Sequence, residues 1–402
     1  MDGKIIFHID VNSAFLSWTA LERLSSGDET DLRLIPSIIG GDTSTRHGVV
    51  LAKSIPAKSY GIRTGEPVVN AFRKCPHLVT AAPNHALYRD YSHRLMQFLT
   101  DICPDIEQVS IDECYMDYTP IASKYSSPEE AATRIKDSVY ETFGFTVNVG
   151  ISDRKILAKT ASDFEKPNRV HTLYAREIET KLWPLPVGDL FLCGRSSAET
   201  LNKLGIRTIG ELARTDPRIL ESHLKSHGLT LYNFANGLDE SAVETTRSKA
   251  KSVGNSTTLT EDAVTEETAH RVLLELSESV GRRLRAARFM AESVCIEIKY
   301  NTFRSVSHQK ILDTPTSSTD EIYRHARELF HALWNGTPIR LLGVRAAKLV
   351  EEDTPVQLSL FDYNAPKSEK QQKLDAALDS IRARYGKEAV KRGSLIDSPR
   401  SD

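Results

Sequence analysis

The sequence predicts an α+β protein of several domains, and three observations carry that expectation. The chain has 402 residues, too long for one ordinary core and suited to two to four small domains. Its first half alternates short apolar runs that end in acids with stretches of helical period. After Lys249-Ala-Lys251 a second pattern sets in, reading strand, helix, strand, strand, helix, strand, which is the ferredoxin-like order.

In chain order, Lys4-Ile-Ile-Phe-His-Ile9 is an apolar run that ends at Asp10 and predicts a buried strand. Ala86 to Ile102 places Leu87, Tyr91, Leu95, Phe98, Leu99 and Ile102 at helical spacing. Glu107-Gln-Val-Ser-Ile111 predicts a strand that ends at Asp112 and Glu113 and resumes at Cys114-Tyr-Met. Side chains alternate along a strand, so Asp112 and Glu113 are not both expected to face the core. Phe145 to Gly150 reads as a third strand, ahead of a helix from Lys155 to Phe164. Residues 176–247 turn helical with short loops around Gly205 and Gly210. The second pattern gives strand 252–258, helix 265–287, strands 293–300 and 303–312, helix 319–334 and strand 339–349. Residues 353–370, polar and holding Pro355 and Pro366, read as a linker before an amphipathic stretch from Leu374 to about Val390.

Composition excludes several classes. Hydrophobic residues are 40% and charged residues 26%, a soluble globular profile with no apolar run near the roughly 18 residues of a membrane span. The N-terminus has no basic segment before its apolar run, so a cytoplasmic protein is expected. Cys75, Cys103, Cys114, Cys193 and Cys295 form no CxxC pair and read as reduced thiols without a disulfide framework or zinc site. Taken as an average, the net charge of -2 argues against a nucleic-acid partner. It averages opposed blocks: residues 51–100 hold 7 basic and 2 acidic side chains, and residues 101–150 hold 3 and 10. A basic block beside an acidic one is what a polyanion held through divalent cations needs.

Asp10, Asp112 and Glu113 stand at strand ends, where an acid is either a solvated terminus or a ligand for a hard divalent cation. His8-Ile-Asp10-Val-Asn12-Ser-Ala-Phe15 and Ser110-Ile-Asp112-Glu113-Cys-Tyr-Met-Asp117 resemble the two metal-binding motifs of the Y-family, the translesion DNA polymerases. Asn148-Val-Gly150-Ile-Ser152, Lys155-Ile-Leu-Ala-Lys159-Thr-Ala-Ser-Asp163 and Lys166-Pro-Asn168 resemble its third palm motif. The Asp-Val-Asn run is closest to the UmuC branch, and the rest also fits the DinB branch. The resemblance covers the order of segments from residue 4 to about 362.

It implies a right-handed polymerase with a palm at 1–17 and 81–174, fingers at 18–80, a helical thumb at 175–247 and a ferredoxin-like little finger at 251–351. Residues 352–402 would be a linker with a clamp-binding peptide and a C-terminal tail. The activity implied is DNA-directed, two-metal phosphoryl transfer to a primer 3′ end, with low fidelity and no proofreading. Two Mg²⁺ ions, or Mn²⁺ in their place, would be held by Asp10, Asp112, Glu113 and the Val11 backbone carbonyl. Phe15 matches the steric gate against a ribose 2′-hydroxyl. Asn12, Ser13, Ala14, Phe15, Lys58 and Lys159 match the nucleotide site. Ile55 departs from the family's usual tyrosine, a triphosphate donor, leaving Ser54 or Lys53 as substitutes.

Leu192-Cys-Gly194-Arg195 resembles a helix-hairpin-helix with one of its two usual glycines, so Gly194 and Arg195 would meet DNA phosphate. Lys299, Arg304, Lys310, Arg345 and Lys348 form a pool of little-finger DNA contacts. Gln357-Leu-Ser-Leu-Phe361 resembles the peptide that docks on the bacterial sliding clamp (β subunit) through Gln357, Leu358, Leu360 and Phe361. The partners implied are primer-template DNA, an incoming deoxynucleotide and that clamp, with a monomeric enzyme and no membrane. A non-catalytic DNA and clamp adaptor built on such a polymerase is the alternative, disfavoured by the presence of all three acids. A nucleotide cyclase, suggested by Gly40-Gly-Asp42, lacks the Glu-Phe that should follow.

Overall fold

The computed structural model describes residues 3–41, 48–246, 249–354, 367–386, 389–390 and 392–395, with the side chains of 367–372 and 394 excepted. The described residues form two compact units, one within 3–246 and one within 249–395.

The first unit opens with β1 (Ile6–Val11), α1 (Ala14–Ser25), β2 (Ser37–Gly40), β3 (Val50–Lys53), α2 (Ile55–Ser59), α3 (Val68–Lys74) and β4 (Val79–Ala81). It continues with α4 (His85–Ile102), β5 (Ile106–Gln108), β6 (Glu113–Asp117), α5 (Pro128–Phe143), β7 (Val147–Ser152), α6 (Lys155–Asp163) and β8 (Val170–Thr172). Four short helices close it: α7 (Arg195–Lys203), α8 (Ile209–Arg214), α9 (Pro217–Leu224) and α10 (Ser226–Ala235).

The main sheet runs β5-β6-β1-β7-β8, so β1 is its central strand. Odd and even residues of β1 lead to different chemistry. Phe7, Ile9 and Val11 join Cys114, Met116, Val147, Val149 and Ile151 in a core closed by Trp18, Leu95, Leu99 and Ile135. Each such large side chain contributes about 1.5–3 kcal/mol on burial. His8 and Asp10 lie on the other face with their register partners Tyr115 and Glu113 on β6 and Gly150 and Asn148 on β7. Helix α6 packs on β7 and β1 there. Gly150 is required by that contact, because a Cβ would sit 2.0 Å from the Ala158 carbonyl oxygen and 2.4 Å from the Ser162 nitrogen.

A small sheet, β3-β2-β4, carries α2 and α3 over a core of Ile38, Val50, Ala57, Ile62 and Val68. Helices α7 to α10 gather Leu201, Ile209, Leu212, Leu220 and Leu231 into a core shared with Leu157.

The second unit is β9 (Ser252–Ala263), α11 (Glu266–Ala286), β10 (Phe289–Tyr300), β11 (Ser305–Thr316), α12 (Thr319–Leu333), β12 (Ile339–Glu351) and α13 (Lys367–Tyr385). Its antiparallel sheet, β11-β10-β12-β9, realises the expected β-α-β-β-α-β order. Val294, Ile296, Ile298, Leu342 and Val344 face Leu273, Val280, Leu284, Ile322 and Phe330 of the two helices.

Three expectations need correction. The strand expected at 107–111 ends at Gln108, and the chain turns through 109–112 before β6 begins. Val109 and Ser110 both donate backbone bonds to the Glu113 carbonyl, closing a hairpin turn. Asp112 therefore precedes the strand, and alternation does not govern it. Helix α13 begins at Lys367, inside the expected linker, since the lysines, glutamines, alanines and Glu369 of the helix favour that conformation. The first strand of the second unit extends to Ala263, beyond the expected 258.

The C-terminal tail docks on the second unit itself. Arg285 Nε donates to Asp379 at 2.7 Å, and its Nη1 lies 3.4 Å from Asp375, which is 2% exposed. Arg382 and Arg392 reach Glu278 at 3.1 and 3.0 Å.

Candidate active site

β1 runs out into a cleft of about 340 Å³ lined by Asp10, Val11, Asn12, Ser13, Ala14, Phe15, Lys53, Ile55, Lys58, Asp112 and Lys166. Asp10 and Glu113 stand opposite each other across β1 and β6. The turn before β6 brings Asp112 alongside, its carbonyl accepting from Val11 N at 3.0 Å and its carboxylate from Ser110 Oγ at 2.6 Å. Burial, and then the charges of Asp10 and Glu113, push the Asp112 carboxyl above its ordinary value.

Two lysines and a histidine answer this negative charge. Lys166 pairs with Asp10, and lies 2.8 Å from Asp163. Burial would lower the Lys166 ammonium, but Asp10 and Asp163 together hold it above its usual value. Lys159 Nζ donates to Glu113 Oε2 at 2.5 Å. His8, fully buried, places Nε2 3.4 Å from Glu113 without hydrogen-bond geometry and Nδ1 2.8 Å from Ser162 Oγ. Burial lowers His8, and the adjoining His8 and Lys159 hold Glu113 down at about 2.

Asn12 serves the scaffold. Its Nδ2 donates to Asn148 Oδ1 at 3.1 Å and its Oδ1 accepts from Asn168 N at 2.9 Å. Asn148 in turn donates to the Ser162 and Glu165 carbonyls. Its amide is thus engaged within the fold, although Asn12 still lines the cleft. Ser13, with φ 49°, caps α1, whose first-turn N–H groups, those of Ala14 and Phe15 among them, have no partner within the helix. Phe15 stacks on Tyr88 at 4.3 Å and 6°, and Tyr88 Oη is 2.9 Å from Thr19 Oγ1.

Of the two substitutes for the tyrosine that Ile55 replaces, Ser54 is fully engaged. Its Oγ accepts from Ala57 N and Ser37 N and donates to the Ile35 carbonyl. Lys53 lines the cleft with Lys58, its ammonium lowered by burial and then by the Lys58 charge. Lys159 is not a wall of this cleft; it stands behind Glu113 on α6. Lys53 was expected only as one of two substitutes at the Ile55 position, and Lys166 and His8 carried no expected role. The signal was position: Lys53 lies two residues before Ile55, and Lys166 and His8 stand within the motifs themselves.

Gly194 caps α7, and Arg195 is 93% exposed in a 2.8 Å pair with Glu199. Leu192 takes the left-handed φ of 66° at the position where the hairpin's missing glycine would stand. The five little-finger candidates do not share one face. Lys299 and Arg345 lie on the open side of the four-stranded sheet, beside a groove formed by Gly254, Ser256, Ser305, Ser307 and Gly343. Lys310 points to the helix side and pairs with Glu328 at 2.8 Å. Arg304 sits in the β10–β11 turn, and Lys348 is exposed near the end of β12. Gln357, Leu358, Leu360 and Phe361 lie outside the described residues. Among the described residues no helix is long and apolar enough to cross a membrane.

The family model for impB/mucB/samB proteins matches residues 9–163, and that for the family's C-terminal domain matches residues 250–360. The chain is 46% identical over 395 residues to DNA polymerase IV of Clostridium acetobutylicum, covering 98% of this chain and 99% of that one. It is 36% identical to DNA polymerase IV of Acetivibrio thermocellus, covering 98% of each. Against DNA polymerase IV 1 of Bacillus subtilis the identity is 36%, covering all of this chain and 96% of that one. A solved Y-family DNA polymerase chimera of Dbh and Dpo4 superposes with a TM-score of 0.73 at 22% identity, covering 86% of this chain and 99% of the chimera.

Proposed function

This chain belongs to the impB/mucB/samB family, the Y-family DNA polymerases, and from that premise we propose which residues carry its chemistry. It is a DNA-directed DNA polymerase of the translesion type, and the adaptor alternative is not favoured. Polymerases of this family depend on metal ions and bind template DNA.

The observation that carries the site reading is that Asp10 and Asp112 line one cleft together with Lys53 and Lys58, while Glu113 faces Asp10 across β1 and β6. Three carboxylates set close together, with the Asp112 carboxyl pushed up by burial and then by the charges of Asp10 and Glu113, suit hard divalent cations. We assign two Mg²⁺ ions, replaceable by Mn²⁺, to Asp10, Asp112, Glu113 and the Val11 carbonyl. When bound, such ions polarise the primer hydroxyl and neutralise the departing pyrophosphate.

The protein's own part is positioning. Lys58 and Lys53 supply point charges to the triphosphate, with Lys53 standing in for the donor that Ile55 cannot provide. The backbone N–H groups at the start of α1, over Ser13, Ala14 and Phe15, face the same anion. Lys159 and Lys166 neutralise the acids and are free to turn to phosphate once those acids are otherwise occupied. Phe15, held flat by Tyr88, blocks a ribose 2′-hydroxyl. Asn12 holds the β1 end of the cleft to Asn148 and Asn168.

Gly194 and Arg195 are proposed phosphate contacts of the thumb. On the little finger, Lys299 and Arg345 flank a glycine- and serine-lined face where a DNA backbone can approach without sequence readout. Arg304, Lys310 and Lys348 are secondary candidates. The palm, fingers, thumb and little-finger limits given above, a clamp contact through residues 357–361, a monomeric enzyme, cytoplasmic location, low fidelity and lack of proofreading complete the reading.

Primer extension with Mg²⁺ tests it. Asp112→Asn should slow extension on the order of 10²–10³-fold or more while primer-template affinity stays within about threefold. Extension at the parental rate would remove the acids from the reaction.

A further inference from the structure

On the helix side of the second unit, away from the open sheet face, three metal-competent side chains converge. Thr265 caps α11, placing Glu266 in its first turn and His270 one turn later on the same face. His331 comes from the last turn of α12, which packs against α11. One ligand atom from each of Glu266, His270 and His331 lies within 4.8 Å of the other two. The Glu266 carboxylate and His331 Nδ1 are 3.6 Å apart.

The two imidazoles meet edge to face at 5.0 Å, and Phe330 closes the apolar side of His270 at 5.5 Å. His270 Nε2 is buried without a hydrogen-bond partner, so no protein contact of that kind fixes the ring. Its neighbours Glu266 and His331 are exposed and free to adjust.

We propose that Glu266, His270 and His331 bind one borderline divalent transition-metal ion, Zn²⁺ or Ni²⁺, that clips the start of α11 to the end of α12. A tetrahedral ion with bonds of about 2.0–2.1 Å sets its donors about 3.4 Å apart. The Glu266–His331 pair already has nearly that spacing, and small side-chain rotations bring the third donor in. Two imidazoles and one carboxylate favour Zn²⁺, Ni²⁺ or Cu²⁺ over Mg²⁺ or Ca²⁺, so this site does not duplicate the carboxylate cleft. Water completes the coordination on the exposed side. Arg327, one turn before His331 and over the Tyr323 ring, adds a like charge that limits the affinity. The consequence is structural: an ion that binds only the folded unit stabilises it.

Calorimetric titration of the full chain with Zn²⁺, in excess Mg²⁺ to saturate the carboxylate cleft, provides the test. The parent should take up one Zn²⁺, with a matching rise in thermal midpoint. His331→Asn, a change at an exposed position, should weaken that uptake at least about tenfold and abolish the thermal shift. Its primer extension in Mg²⁺ alone should equal the parent's. No Zn²⁺ uptake by the parent, or uptake of equal stoichiometry and affinity by His331→Asn, would overturn the proposal.

Discussion

Phe15 illustrates how a single ring serves two surfaces. One face stacks on Tyr88, and the same residue lines the cleft. Replacing it by alanine removes the obstacle while the Tyr88–Thr19 contact keeps its place. Phe15→Ala should therefore narrow the preference for deoxyribonucleotides over ribonucleotides by at least about tenfold in kcat/KM, or ~1.4 kcal/mol. An unchanged ratio would exclude the ring from sugar selection. Glu113 makes a second prediction. Its folded carboxyl titrates at about 2, below its ordinary 4.5. The unfolded chain thus binds the proton more readily, and stability from this group is complete above 4.5 and lost as pH falls toward 2. The contribution is on the order of 2–3 kcal/mol. Urea midpoints of the metal-free protein should fall between pH 5 and 3, and Glu113→Gln should flatten that fall. A parental pH dependence in the variant would mean that His8 and Lys159 do not hold the group.

At the scale of elements, α6 lies so close to β7 that position 150 admits no side chain. Its first turn is tied from afar: Ile156 N donates to Asp239 at 2.9 Å and Lys155 pairs with Glu107 at 2.7 Å. Gly150→Ala should push the helix off the sheet, lower unfolding stability by about 3 kcal/mol and displace Lys159 from Glu113. A parental denaturation midpoint would contradict this close approach. Which elements were legible follows from where their hydrogen bonds go. β1 announced itself because all its residues are buried between two neighbours, which leaves a run that is apolar except at His8 and ends at the acid. The turn at 109–112 was hidden, since Val109 and Ile111 are β-branched and mimic a strand while Ser110 folds the chain through bonds that periodicity does not register. Lys53 and Lys166 reach the cleft by tertiary packing, so their places beside Ile55 and in Lys166-Pro-Asn168 were readable while their contacts were not.

For the whole molecule, the net charge of -2 was a poor guide, because the acids and the cations that meet at the cleft come from segments far apart in the chain. The tail beyond the second unit's sheet is likewise internal in its loyalties: Asp375 and Asp379 answer Arg285, and Arg382 and Arg392 answer Glu278. Residues 357–361 fall between β12 and α13, so deleting them leaves both anchors intact. That deletion should abolish stimulation by the sliding clamp while distributive primer extension continues at the parental rate. Stimulation that survived would assign clamp binding elsewhere. Finally, β1 writes the core on its odd residues and the acid site on its even ones. Losing one codon between Lys4 and Ile9 would turn the shifted side chains to the opposite face, setting Asp10 in the core and Phe7 or Ile9 among the acids under α6. Heritable change in this strand is therefore confined to substitution, and its length cannot drift.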